Sequence, residues 1–329
     1  MSSAASVKDR LKNYAIKSGR IFQDVLTAYI LERVLFRISK SEYVDNFTLK
    51  GGILLYGLYE DNFTRATTDI DLLGRNITND KDELKSVFAQ ILSIETDDPI
   101  RFDIDALDVD NITEFKKYHG VKVTTVAYLD RTRIPVSIDI GFGDIIYPNR
   151  IVMDYPTILD NDAPHMFAYS IYSIVAEKIE AIVSLGLTNS RYKDFYDLCT
   201  LSEREDFNGE MLKEAIIETF ENRHTHFEEI AAFEESFTDD YDRQQRWKGF
   251  LRSKKVMDNR SFPEAVSSTK LFLFPVIDAI RQNLPFRNHW IHTEKQWHRA
   301  EDPKVRRQSS GLTTLKAKGA VLRAELRQC

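Results

Sequence analysis

Residues 67–74 read Thr-Thr-Asp-Ile-Asp-Leu-Leu-Gly, acidic and apolar side chains in alternation before a glycine. Residues i and i+2 of a strand share a face, so Asp69 and Asp71 point together one way while Ile70 and Leu72 point into a core. Two ionised carboxylates held side by side repel each other, a costly arrangement unless a cation lies between them. Hard oxygen ligands of this kind suit Mg²⁺, which takes one or two carboxylates and completes its shell with substrate phosphates. Taken alone, the two acids read equally well as solvated residues at a strand edge.

Their surroundings separate the two readings. Lys50-Gly51-Gly52 opens a helix-like run over 52–58, its start seventeen residues before Asp69. Glycine lets backbone amides approach a phosphate closely, and a helix N-terminus adds favourable partial charge. A Gly-Gly turn, a short helix and a strand ending in Asp-x-Asp form one phosphate-plus-metal unit, with Gly51 and Gly52 as nucleotide-binding candidates. Further on, 134–140 (Ile-Pro-Val-Ser-Ile-Asp-Ile) alternates so that Val136, Ile138 and Ile140 face one way and Ser137 and Asp139 the other. A third carboxylate on a neighbouring strand would complete a two-metal site with Asp69 and Asp71, or act as base for an incoming hydroxyl. Asp103 and Asp105 repeat the pattern without a glycine turn before them. They read as a solvated edge-strand face, which discourages pairing between molecules.

The texture around this unit gives the organisation. Residues 1–45 read as helical, with Val25, Leu26, Tyr29, Ile30, Val34 and Leu35 near a 3.6 period and charged residues between them. Residues 46–155 alternate short β-branched runs with helical stretches at 52–59 and 81–93, a mixed α+β core. Residues 156–285 are helical again, with helices expected over 170–185, 191–202, 208–222, 226–236, 240–253 and 263–281. Residues 286–329 read as a weakly ordered basic tail. The predicted fold is therefore an α+β core whose cleft a helical domain completes.

In that helical half two charges stand out of place. On a helical wheel Lys178 falls in the middle of the stripe formed by Ile171, Ile174, Val175, Ile179 and Ile182. A lysine is almost never buried unless paired, so it needs an anion. Asp194 lies likewise among Phe195, Leu198, Cys199 and Leu201. One reading is a buried Lys178–Asp194 pair joining two helices. The sharper one lines a cleft, with Lys178 on a triphosphate, Asp194 near the reacting hydroxyl, and Arg191 and Lys193 adding positive charge.

Composition sets the outer bounds. At roughly 100–200 residues per domain, 329 residues suggest two domains. A net charge of −6 argues against a protein held on nucleic acid by bulk charge. Residues 286–329 carry ten Lys/Arg against four Asp/Glu, so an enzyme touching RNA through a local basic face is allowed. No apolar run approaches the about 20 residues of a membrane span, and the N-terminus lacks the apolar segment of a secretory signal. Cys199 and Cys329 are too few for a disulfide framework or a zinc site. A cytoplasmic protein is the simple expectation.

Four motifs together resemble the AbiEii/AbiGii abortive-infection toxins, nucleotidyltransferases of the DNA-polymerase-β-like superfamily. These are Lys50-Gly51-Gly52 with Arg65-Ala-Thr-Thr-Asp69-Ile-Asp71-Leu-Leu-Gly74, then Ile138-Asp139-Ile-Gly-Phe-Gly143-Asp144, then Ala176-Glu177-Lys178, then Arg191-Tyr-Lys-Asp194-Phe-Tyr-Asp197-Leu198. They occur in the family's order between about residues 6 and 280. The family often has Arg immediately before the first aspartate, where this chain has Thr68, with Arg65 three positions earlier. The resemblance implies Mg²⁺-dependent transfer of a nucleoside monophosphate from an NTP. Asp69, Asp71, Lys178 and Asp194 would be catalytic, with Asp69, Asp71 and Asp139 on the metal. Gly51, Gly52, Arg65, Lys178 and Arg191 would bind the nucleotide. It also implies a type IV toxin–antitoxin or phage-defence role, a cognate antitoxin, and an RNA acceptor with tRNA 3′ ends foremost. The same core modifying a protein hydroxyl, or an inactive binding module, are the alternatives.

Overall fold

The computed structural model describes residues 3–59, 66–112, 120–227, 230–254 and 258–300. Arg65 and residues 301–329 lie outside them.

Gly19, at φ +67°, ends the first helix in a left-handed turn and splits the helical N-terminal stretch in two. Helix α1 (Ala4–Ser18) is capped by the Ser3 side chain, and α2 (Phe22–Lys40) is buried over most of its length. That burial includes charge: Arg33 Nε donates to Asp98 at 2.9 Å, and Arg37 holds both Asp98 oxygens at 3.0 Å. Glu32, Arg33 and Arg37 of α2 therefore face protein rather than water.

The chain then lays down β1 (Phe47–Lys50), α3 (Gly51–Tyr59), β2 (Ile70–Gly74), α4 (Lys81–Leu92), β3 (Ile100–Phe102), β4 (Asp108–Ile112), β5 (Gly120–Leu129), β6 (Thr132–Phe142), β7 (Ile151–Asp154) and β8 (His165–Ala168). Among the described residues these eight strands form one mixed sheet in the order β3-β5-β6-β2-β1-β8-β7, with β4 also on β5. Strand β2 lies antiparallel to β1 and parallel to β6. The inward residues Ile70, Leu72, Ile138 and Ile140 are fully buried, as alternation requires.

Helices α5 (Ile171–Leu185), α6 (Tyr192–Arg204), α7 (Gly209–Asn222), α8 (Glu235–Thr238), α9 (Tyr241–Ser253) and α10 (Phe262–Arg281) follow, with β9 (Phe207–Asn208) between α6 and α7. A Ser261–Glu264 capping box starts α10. The helix expected over 226–236 is, among the described residues, a short turn at Ala231–Phe233 followed by the single turn of α8. One contiguous apolar core runs from Val7 to Trp290 and joins the sheet to the helices.

Of the weakly ordered tail expected over 286–329, the structure corrects residues 286–300, and the rest lies outside the described residues. Residues 286–300 form a hairpin, β10 (Asn288–Ile291) and β11 (Gln296–Arg299), and β10 pairs with β9. Trp290 is 2% exposed and donates its indole N–H to the Ser202 carbonyl at 2.6 Å. Phe272 and Trp297 pack against it, and Phe286 packs edge-on against Trp297. Three large rings scattered through a polar stretch bury far more surface than their number suggests.

Candidate active site

The site starts with a glycine. At the end of β1 the chain turns at Gly51, φ +66°, into α3. A Cβ here would lie 2.0 Å from Asp71 Oδ2, so only glycine fits against that carboxylate. The Gly52 amide donates to the same oxygen at 3.3 Å. Asp71 stands opposite Lys50 on β1 and opposite Asp139 on β6. Asp69 precedes the strand. The Asp-x-Asp pair thus opens β2 rather than ending it, because the ladder with β1 begins at Lys50–Asp71 and leaves Asp69 beyond it. Thr68 donates both its hydroxyl (2.7 Å) and its amide (3.2 Å) to Asp69 Oδ1.

Carboxylate oxygens of Asp69, Asp71 and Asp139 all lie within 4.8 Å of one another. Burial raises the Asp71 pKa, and the neighbouring Asp69 and Asp139 raise it further against the opposing field of Lys193. Burial works against ionisation of Asp69 as well, but the Thr68 hydrogen bonds with Lys193 and Lys254 outweigh it and hold that carboxyl below its usual range. Asp71 is therefore short of positive charge. Three converging hard oxygen donors with such a deficit fit a divalent cation.

The second cluster sits on α5 and α6. Lys178, 9% exposed, donates to Asp194 Oδ1 at 3.1 Å and to Asp197 Oδ2 at 2.6 Å. Arg191 Nε donates to the other Asp194 oxygen at 2.6 Å. Burial opposes the charge on Asp194, yet Lys178 and Arg191 bring its pKa down to about 2. The buried Lys178–Asp194 pair between two helices thus exists, enlarged by Asp197. Lys193, exposed at the start of α6, links the clusters, since its field reaches Asp69, Asp71 and Asp194.

Lys50 heads the Gly-Gly turn but is held elsewhere. Its ammonium donates to Asp144 Oδ2 at 2.7 Å and to Glu177 at 3.1 Å. Arg223 closes the same network on Asp144 (2.8 Å), Glu177 (3.3 Å) and Glu180 (2.8 Å). Asp103 and Asp105 do not lie on a strand as expected. They fall in the turn between β3 and β4, where Asp103 Oδ1 accepts the Ala106 amide at 3.2 Å.

Sequence reasoning missed Lys122 as a site residue and gave Thr68 no part, while Lys193 was expected only to add positive charge near Asp194. Lys122 donates to Asp139 Oδ1 at 2.5 Å across the β5–β6 ladder. Only strand register reveals that contact.

A mixed sheet presenting three carboxylates beside a glycine-turn helix, backed by helices carrying a lysine–aspartate cluster, is the site of a nucleotidyltransferase. The family model for the nucleotidyl transferase AbiEii toxin of type IV toxin–antitoxin systems matches residues 33–268, and the chain belongs to that family. Among solved structures, MenT4, a nucleotidyltransferase toxin from Mycobacterium tuberculosis, is similar at TM-score 0.48 and 13% identity, over 82% of this chain and 98% of that one. JHP933 from Helicobacter pylori is similar at TM-score 0.45 and 14% identity, over 79% of this chain and 94% of that one. None of the curated proteins matches the sequence. No helix among the described residues is long and apolar enough to cross a membrane.

Proposed function

We propose that this toxin transfers a nucleoside monophosphate from an NTP to an RNA acceptor, foremost the 3′ end of a tRNA, with Mg²⁺ held by Asp69, Asp71 and Asp139. The observation that carries this reading is the convergence of three carboxylates, one oxygen of each within 4.8 Å of the others, around the buried Asp71. When bound, the ion supplies neutralisation of the transferring phosphoryl group and its leaving pyrophosphate. The chain's own residues supply position. Gly51 and Gly52 bring the start of α3 against the site, and Arg65 is the nearest arginine in sequence before Asp69. Lys178 fixes Asp194, which in turn fixes Arg191 toward the triphosphate. Asp69, Asp71, Lys178 and Asp194 are the catalytic set of this proposal, and Gly51, Gly52, Arg65, Lys178 and Arg191 the nucleotide-binding set. A cognate antitoxin is the partner the family implies.

An RNA acceptor is favoured over a protein hydroxyl by the charge around the acids. Lys193 and Lys254 both act on Asp69, and α9, which Lys254 terminates, exposes Arg246, Lys248 and Arg252. Incubation of the purified protein with each α-labelled NTP, total tRNA and a protein extract tests the reading. The expected label is on RNA, absent with Asp71→Asn, and binding of tRNA falls with salt as contacted phosphates release counterions. Label on protein alone would transfer the same chemistry to the other acceptor. No label on either overturns the activity.

A further inference from the structure

We propose that Lys122 stands where a second metal ion would otherwise sit, so that the chain by itself holds one divalent cation, on Asp69 and Asp71, with the Lys122 ammonium on Asp139. The inference rests on the metal reading above and narrows it for the chain without nucleotide: Asp139 is then taken by Lys122 and joins the metal only when that ammonium is displaced, so Lys122 sets the number of ions.

The observation is a row of four side chains across four strands. Residues paired across a ladder share a face. The register places Lys50 opposite Asp71, Asp71 opposite Asp139, and Asp139 opposite Lys122, on β1, β2, β6 and β5 in turn. Two carboxylates thus lie between two lysines. The lysines are used differently. Lys50 turns its ammonium to Asp144 and Glu177, at 2.7 and 3.1 Å. Lys122 turns its own to the carboxylate row, 2.5 Å from Asp139 Oδ1, and is steadied by Ser137 Oγ at 3.3 Å.

That contact bears on the metal count in two ways. An ion ligated by Asp139 Oδ1 would sit about 2 Å from an oxygen that already accepts from an ammonium, so the two cations would be crowded on one atom. Charge also balances with a single ion: three carboxylates carry −3, and one dication with one ammonium carries +3. A second dication would leave the row with a surplus of positive charge beside Lys193, which already faces the acids. Lys122 reaches Asp139 from a side chain 41% exposed, so its ammonium has a solvated path away from the site when it is displaced. The number of ions is therefore a measurable competition between a lysine and a metal for one carboxylate.

The experiment is an Mn²⁺ titration of the purified chain without nucleotide, read by the EPR signal of free Mn²⁺ and by the spin coupling of paired ions. Wild type is expected to take up one Mn²⁺, with no coupled pair. Lys122→Met should gain a second ion with affinity at least tenfold above any second site in wild type, and a coupled-pair signal. Lys122→Arg, which keeps the charge, should remain at one. Thermal unfolding without metal confirms that each variant is folded. Two ions of comparable affinity in wild type, or one ion only in a folded Lys122→Met, overturns the proposal while leaving the metal site standing. No uptake by wild type above that of Asp71→Asn overturns the metal site itself, and the assignment of Lys122 with it.

Discussion

Asp71 carries its charge against its surroundings. Its raised pKa comes from burial, with Asp69 and Asp139 adding to it against Lys193. A carboxyl whose folded pKa is raised destabilises the fold while ionised and stops doing so as pH falls through that pKa. Asp71→Asn should therefore leave the metal-free melting temperature unchanged or higher at pH 7 while lowering transfer by more than about 100-fold, the upper end of what loss of a second-shell partner costs. A clear drop in melting temperature would show that Asp71 is a structural group. Asp194 has the opposite sign. Its pKa, depressed from 3.8 to about 2, contributes stability that is complete above about pH 4 and is lost as pH falls toward 2. Acid unfolding of wild type beside Asp194→Asn should show a shallower dependence in the variant over that window. Lys178→Met leaves buried carboxylates facing each other and should cost about 3–5 kcal/mol in denaturant unfolding, with Lys178→Met/Asp194→Leu recovering part of it. Full transfer activity in the double variant would remove both residues from the catalytic set.

At the scale of elements, legibility followed the range of the interactions. Asp69, Asp71 and Asp139 could be placed on one face because period-two alternation is local, and Ile70, Leu72, Ile138 and Ile140 mark the other face. Lys178 and Asp194 were visible because a charge inside an apolar helical stripe needs a partner. What the chain hides is set by distant partners. Lys122 has no local mark, since its meaning comes from a strand seventeen residues on. The charges of α2 stand between its apolar positions with no local sign of a partner, yet Arg33 and Arg37 bury themselves on Asp98, more than sixty positions away. Strands of four residues such as β7, β8 and β10 are too short to show a period. Hairpin β10–β11 is the largest such omission, and it carries its own test. Trp290→Ala should cost about 3–5 kcal/mol of stability, the range for emptying a buried tryptophan site. A cost under about 1 kcal/mol would mean that the hairpin rides on the surface without stabilising the helices.

For the whole molecule, the joint between sheet and helices is ionic at its centre. Lys50 and Arg223 share Asp144 and Glu177, and Arg223 also holds the fully buried Glu180, so β1, the turn after β6, α5 and the end of α7 meet at five charges. Asp144 is held ionised, its pKa lowered because Lys50 and Arg223 overcome its burial, whereas burial dominates Glu177 and raises its pKa. Arg223→Met leaves Asp144 and Glu177 to Lys50 alone and takes the guanidinium from the buried Glu180. It should cost about 3–5 kcal/mol in equilibrium unfolding, with loss of transfer through a distorted joint rather than through lost metal uptake. Unchanged stability would show that Lys50 alone suffices.

The strand order also has a consequence for synthesis. Strand β2 lies between β1 and β6, and β1 in turn pairs with β8. The chain is made N-terminus first, at about 5–20 residues per second. Asp69 and Asp71 therefore leave the ribosome seconds before Asp139, and Lys178, Asp194 and Arg223 later still. A nascent chain that has released Asp69 and Asp71 thus holds β1 and α3 but still lacks β6, α5 and α6, so the proposed site is complete only after Asp194 has been made.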